Sequence, residues 1–190
     1  VTREETVFAD ARSKNILFVA HCLLNQNSIS DGTAACPGSV KHVMALLLES
    51  HIGIVQMPCP ELNCLGLDRG NPDGGKSPVL IENTRIRAAM SQKAAQAKLK
   101  ALVGPLVFQI SEYRKCGFDI KGIVGINRSP SCGVESTSQN NQEVAGQGLF
   151  MEALRIELGE NGISLKMVGV KDSEPEESLL TIRSLLAHRD

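Results

Sequence analysis

Four short apolar runs alternate along this chain with stretches whose apolar residues recur at helical spacing. That alternation is the strongest constraint on its fold. Residues 15–20 (NILFVA) form a continuous apolar run of strand length, as a strand buried on both faces should. Residues 52–57 (IGIVQM), 119–127 (DIKGIVGIN) and 163–170 supply three more. Between the first two, Val40, Val43, Met44, Leu47 and Leu48 predict a helix over 37–50, with Pro37 in a first turn that tolerates it. A further helix, capped by Asn83 or Thr84, is expected to reach about Leu102 and to break at Gly104-Pro105. A second piece then ends at Cys116-Gly117. The last two helices are predicted over 144–159, with Leu149, Phe150, Ala153, Leu154 and Leu158 inward, and over 174–187. The order β-α-β-α-β-α-β-α calls for a Rossmann-like α/β fold. Its open sheet of about four parallel strands has right-handed crossovers and helices on both faces.

At 190 residues the chain can bury a core without staples. It is read as a charged arm over 1–13 followed by a single α/β domain over 14–190. The arm is expected to pack loosely or to meet a second subunit, and a homodimer is compatible with it. A hydrophobic fraction of 42% and a charged fraction of 22% are those of an ordinary soluble protein. Net charge is −1, no basic stripe stands out and aromatics make up 3%, so a nucleic-acid partner is disfavoured. The apolar runs are too short to cross a bilayer, and the opening Val1-Thr2-Arg3-Glu4-Glu5 is not a signal peptide. A cytoplasmic location is expected. Thiols stay reduced there, so the six cysteines read as ligands, catalytic groups or core residues rather than disulfides.

Three cysteines follow the ends of three predicted strands. They are Cys22 in His21-Cys22-Leu23-Leu24-Asn25, Cys59 in Met57-Pro58-Cys59-Pro60-Glu61, and Cys132 in Ser129-Pro130-Ser131-Cys132-Gly133. Loops leaving the carboxyl ends of parallel strands gather along one edge, where ligands bind. Three thiols distant in sequence can therefore meet, and thiolates select iron–sulfur clusters, Cu(I) or zinc. The proline- and glycine-rich turns around Cys59 and Cys132 favour main-chain N–H groups aimed at a cluster's sulfides. No CxxC pair is present, and the same cysteines also read as small buried hydrophobes.

The loops HCLLN, PCPE…GL-R and SPSCG resemble those of the thiouracil desulfidase (TudS) family, over most of the chain from Ile16 to about Gly133. SPSCG after a strand is the most specific piece. The resemblance implies a [4Fe-4S] cluster held by Cys22, Cys59 and Cys132, one iron staying free to take sulfur from a thiolated pyrimidine. It also implies assisting roles for Glu61 and Ser129. His21 before Cys22, the Asn25-Gln26-Asn27 continuation and Glu61-Leu62-Asn63-Cys64 depart from the family pattern, leaving the substrate's identity open. The implied activity is a non-redox, hydrolytic removal of sulfur from a small thiolated compound. Glu61 takes the proton of the attacking water, and Ser129 bonds the substrate ring or steadies that water. Against this stand a zinc-binding hydrolase and a non-catalytic sulfur or cluster carrier built on the same thiolates. Glu61 also has an alternative as a simple partner of Arg69 or Arg128, and Ser129 as a turn residue.

The remaining candidates carry weaker expectations. Cys36, before Pro37, is placed at a helix start where the dipole favours a thiolate. Cys64 is a competing ligand or a neighbour of the open iron, and Cys116 is core. His21 is a fourth ligand or substrate contact, although adjacent residues on an extended chain point to opposite sides. His42 and His51 read as surface or helix-end residues, and His188 as part of the last helix. Residues 58–78, rich in Pro and Gly, are expected to be a long irregular segment. Gly74-Gly75-Lys76-Ser77 within it has the look of a phosphate loop, but Pro72 and Pro78 deny it the strand-to-helix context. A lid over the cluster is the functional reading of that segment.

Overall fold

The structure, a computed structural model, describes residues 8–187. Most of the arm expected over 1–13, and His188, therefore lie outside the described residues. Strand β1 (Asn15–Val19) leads into a single helical turn, α1 (His21–Leu24), and helix α2 (Lys41–Glu49) leads to β2 (Gly53–Gln56). Three helices follow, α3 (Pro60–Leu65), α4 (Val79–Met90) and α5 (Lys93–Lys115). Next come β3 (Asp119–Ile126), the pair β4 (Ser136–Gln139) and β5 (Gln142–Ala145), α6 (Leu149–Glu160), β6 (Met167–Val170) and α7 (Pro175–Ala187). The main sheet has the order β2-β1-β3-β6, every pairing parallel, as the alternating pattern requires. No described helix is long and apolar enough to cross a membrane.

Successive residues of β1 point to opposite faces of the sheet, so both faces must be covered. Ile16, Phe18 and Ala20 join a core built from α4, α5 and α6 through Ile86, Val103, Ile110, Phe150 and Leu154. Leu17 and Val19 join the other core with Leu47 of α2 and Ile182 and Leu185 of α7. Strand β3 breaks this alternation. Its register with β1 shifts between Ile16 and Leu17, which inserts one residue and lets Ile120 and Ile123 share a face. Gly122, at φ 140, makes that shift possible, because a Cβ there would lie 2.5 Å from the Lys166 carbonyl oxygen.

Several local expectations are corrected. Helix α2 begins at Lys41 rather than Pro37, since Gln26 N–H takes the Gly38 carbonyl and Val40 N–H takes that of Leu23, which fixes 37–40 as a tether. The helical break falls at Ser91-Gln92, and α5 runs unbroken through Gly104-Pro105. Ser91 Oγ donates to the Arg87 carbonyl and Gln96 Nε2 to that of Met90, closing α4. Both Gly104 and Pro105 face solvent, so the carbonyl that Pro105 frees can be hydrated, while Val103, Leu106 and Val107 stay buried in the core. The segment 58–78 is not irregular throughout. Pro60 starts α3 at a position where its missing N–H costs nothing. The polar stretch after β3 contains β4 and its turn, where Asn140 and Asn141 both take positive φ as a two-residue hairpin needs.

Candidate metal centre

The sheet order places β1 between the strand that follows it and β3, so the loops leaving β1 and β3 diverge at a topological switch point. A pocket opens there, lined by Cys22, Cys59, Cys132, Glu61, Ser129 and Arg69 among others. All five residues proposed from the sequence share this one cavity, and none of the three thiols is tied up in a disulfide.

The loop carrying Cys132 is the most tightly built. The Cys132 N–H donates to Ser129 Oγ at 3.0 Å and its carbonyl accepts from Ile126 N–H at 2.9 Å. Ser129 Oγ accepts a second bond, from Ser131 N–H at 3.2 Å. Ser129 thus does close a turn, with its hydroxyl hydrogen left to donate. The carbonyls of Pro130 and Ser131 take the first N–H groups of α6, and Arg87 Nη1 donates to Pro130 O and Thr137 Oγ1. Gly133 has no room for a side chain, because a Cβ would lie 2.1 Å from the Ser136 carbonyl oxygen and 2.8 Å from that of Ser129. Gly133→Ala is expected to cost about 1–3 kcal/mol through forced backbone displacement, read from denaturant midpoints. An unchanged midpoint would show that the turn can open without penalty.

Cys59 precedes α3 as its N-cap, and its sulfur accepts from Leu62 N–H at 3.5 Å. Glu61, two residues further, is buried and forms an ion pair with Arg69 at 3.2 Å. The alternative reading of Glu61 as an Arg69 partner is thus realised, and it is compatible with a site role. Glu61 Oε2 takes both Arg69 Nε and Ser30 Oγ, whereas Oε1 makes no hydrogen bond among the described residues. Arg69 is itself buried and also donates to the Leu67 and Ser28 carbonyls, with Nη2 3.8 Å from the Cys59 sulfur.

Burial pushes all three thiols up from their ordinary range, and they act on one another. After burial, Cys59 raises Cys22, and both Cys22 and Cys59 raise Cys132. Glu61 adds to the effect on each, while Arg69 opposes it at Cys59 and Cys132. Deprotonating all three thiols in one cavity therefore calls for a cation to offset their charge, which a bound metal would supply. The donors fit a soft-metal or iron–sulfur group in kind. Among the described residues no group of three or more His, Cys, Asp or Glu is arranged to hold a metal ion.

No family model matches the chain. An uncharacterized protein of Methanocaldococcus jannaschii is 28% identical over 165 residues, covering 87% of this chain and 91% of that protein. Among solved structures, the chain is similar to a [4Fe-4S]-dependent thiouracil desulfidase, TudS, with 17% identity and a TM-score of 0.43. That match covers 88% of this chain and 97% of the other. Likeness at that level leaves the chemistry here to be derived from the chain's own residues.

The other candidates separate cleanly. His21 lines the pocket, but β1 has ended before it and the chain there is helical, so the opposite-sides expectation does not apply. Its Nδ1 pairs with Gln56 Nε2 at 2.6 Å and its Nε2 is buried without a partner among the described residues. Burial, then the Arg69 charge, lowers its pKa. Cys36 stands well short of α2, so no helix dipole acts on it, and its N–H serves Gln26 Oε1. Cys64 is buried against α5, its sulfur 3.5 Å from the Ala95 carbonyl, and does not line the pocket. Cys116 is half-buried after the end of α5 and belongs to neither core cluster, so the expectation that it is core is corrected. His51 is exposed beyond α2, and His42 is half-buried in its first turn. Gly74–Lys76 is a single 3-10 turn with no strand before it, and Gly75 N–H donates to Asp31 Oδ2. Arg69 and Val79 line the pocket; the residues between them do not.

Sequence reasoning overlooked Gln26, Ser30 and Asp172, all near the thiols. Asp172 was within reach of the strand-end rule applied to Cys22, Cys59 and Cys132, because it follows β6 on the same sheet edge. Gln26 and Ser30 carried no such signal; their roles depend on contacts with residues far along the chain.

Proposed function

We propose that Cys22, Cys59 and Cys132 hold a [4Fe-4S] cluster and that the protein removes sulfur from a small thiolated compound such as a thiopyrimidine, water replacing the sulfur. One observation carries this reading: thiols from three separate strand ends line one cavity together with a buried carboxylate and a hydroxyl. A cluster is held at separate irons, so its cysteines need not approach a single point as the ligands of one zinc ion must. When bound, the cluster supplies an iron without a protein ligand, a Lewis acid suited to soft sulfur.

The chain's own residues do the rest. Arg69 offsets negative charge beside Cys59 and holds Glu61 by one oxygen. The other oxygen, Glu61 Oε1, is left to accept a proton from the water that attacks the thiocarbonyl carbon and to return it to the departing sulfur. Carbon exchanges its double bond to sulfur for one to oxygen, and both protons of the water, one carried by Glu61 and the second lost from the added hydroxyl as the carbonyl forms, leave with sulfur as hydrogen sulfide, so no electrons are transferred. Ser129, its oxygen occupied by two N–H groups, has only its proton to offer and donates it to the ligand. The buried wall around these groups limits bulk water, which strengthens each of these bonds.

Anaerobically purified protein is expected to be brown and to carry about four irons per chain. Glu61→Gln should keep that iron while sulfide release from 2-thiouracil falls by about a hundredfold or more, the usual contribution of a positioned base. A colourless protein with one zinc sinks the proposal, as does full sulfide release from the glutamine variant.

A further inference from the structure

The sequence marks Asn83 as a helix cap, but α4 begins at Val79 and places it inside the helix. Asparagine is a poor interior helix residue, since its amide competes for backbone partners. Here the amide reaches away from its own helix. Its Nδ2 donates to the Arg128 carbonyl at 3.4 Å and to Ser138 Oγ at 3.1 Å. The single Ser138 hydroxyl proton goes to the same Arg128 carbonyl at 2.6 Å, so Ser138 can only accept from Asn83. That settles which end of the amide is nitrogen and which is oxygen. Asn83 is 6% exposed and lines the cavity that holds the three cysteines. Its Oδ1 accepts from no described residue and, unlike Asp172 Oδ1, is not sealed from solvent. Donors beside it are committed elsewhere: Arg87, one turn on, bonds Pro130 and Thr137, and Ser138 bonds Arg128. A deeply buried side chain thus presents one open acceptor to the cavity, anchored from behind by two bonds. An acceptor in such a place is costly unless a ligand or water fills it.

We infer that Asn83 reads the ligand of this cavity, its Oδ1 accepting a hydrogen bond from a ring N–H of a heterocyclic thione. This rests on the desulfidase reading and extends it to recognition. A cyclic thione carries its proton on the ring nitrogen beside the thiocarbonyl carbon. An amide oxygen is too weak a base to remove that proton. It therefore binds the neutral thione, the tautomer whose carbon is open to attack by water. Ser129, directly after the Arg128 carbonyl that anchors Asn83, has a proton to donate. Acceptor and donor together match the adjacent N–H and carbonyl of a pyrimidine edge. An N-alkylated ring leaves Oδ1 unpaired against a methyl group and is rejected.

The test uses Glu61→Gln protein as parent, prepared anaerobically so that the ligand is bound but not consumed, with iron counted in every sample. Equilibrium dialysis compares 2-thiouracil with 1,3-dimethyl-2-thiouracil, which has no N–H. The parent should bind the dimethyl compound about tenfold or more weakly than 2-thiouracil. Adding Asn83→Leu, or the smaller Asn83→Ala, should weaken 2-thiouracil binding about tenfold or more and leave the dimethyl compound's affinity unchanged or improved. Iron content stays at the parent's level, since Ser138 still holds the Arg128 carbonyl in both variants. Equal affinity of the parent for the two compounds overturns the assignment to Asn83 without recourse to any variant. Equal losses for both compounds, no loss for either, or iron lost from both Asn83 variants also overturns it, and each leaves the desulfidase reading standing. Absence of iron from the parent overturns both.

Discussion

On the proposed ligand set, Cys132→Ser is expected to leave the protein without iron. Iron should fall from about four per chain to near zero, with loss of the brown colour, in protein purified without oxygen. The reason lies in how firmly this residue is placed. Its N–H is held by Ser129 and its carbonyl by Ile126, and Gly133 beside it packs so close to the Ser136 carbonyl that no Cβ would fit. No other thiol can take over, because Cys64 faces α5 and Cys36 does not line the cavity. A serine hydroxyl is not deprotonated at neutral pH and offers iron no comparable ligand. The fold should persist, since a buried hydroxyl costs about 1–3 kcal/mol. Cys22→Ser and Cys59→Ser should behave alike, while Cys64→Ser and Cys36→Ser keep their iron. Four irons retained in Cys132→Ser, or lost from Cys64→Ser, would mean that a different ligand set is in use.

The second large effect falls on stability. Arg69→Met should destabilise the protein by about 3–5 kcal/mol, because it strands the charge of Glu61, whose side chain is only 9% exposed. For a chain of this size that corresponds to a fall in melting temperature of roughly 6–20 °C. The loss is larger than a surface ion pair could give, since Arg69 is 3% exposed and also ties the Ser28 and Leu67 carbonyls together. Adding Glu61→Gln should recover part of it by removing the uncompensated charge, which thermal melts of the single and double variants would show. Additive losses in the double variant would instead place the cost in the loop carbonyls that Arg69 holds.

Much of the architecture was legible because β1 and β3 are buried on two faces, and such strands must be written as apolar runs. The three thiols were legible for a related reason: a parallel sheet sends every strand end to the same edge. Helix α3 was hidden by the prolines around it, although Pro60 itself marks a first turn. The break at Ser91-Gln92 and the continuity of α5 through Pro105 escaped local reading. Propensity places the break at Pro105, and burial of Val103, Leu106 and Val107 overrides it.

The succession of the four parallel strands, and the cysteines that follow three of them, were determined by residue pattern alone, since periodicity and chain direction are local properties. Tertiary structure decided which polar groups meet. Gln26 reaches Asp172 across 146 positions, and Ser30 reaches Glu61 across 31. Such pairings arise only when the sheet order brings separate loops to one edge, and nothing in the neighbourhood of either residue encodes its distant partner.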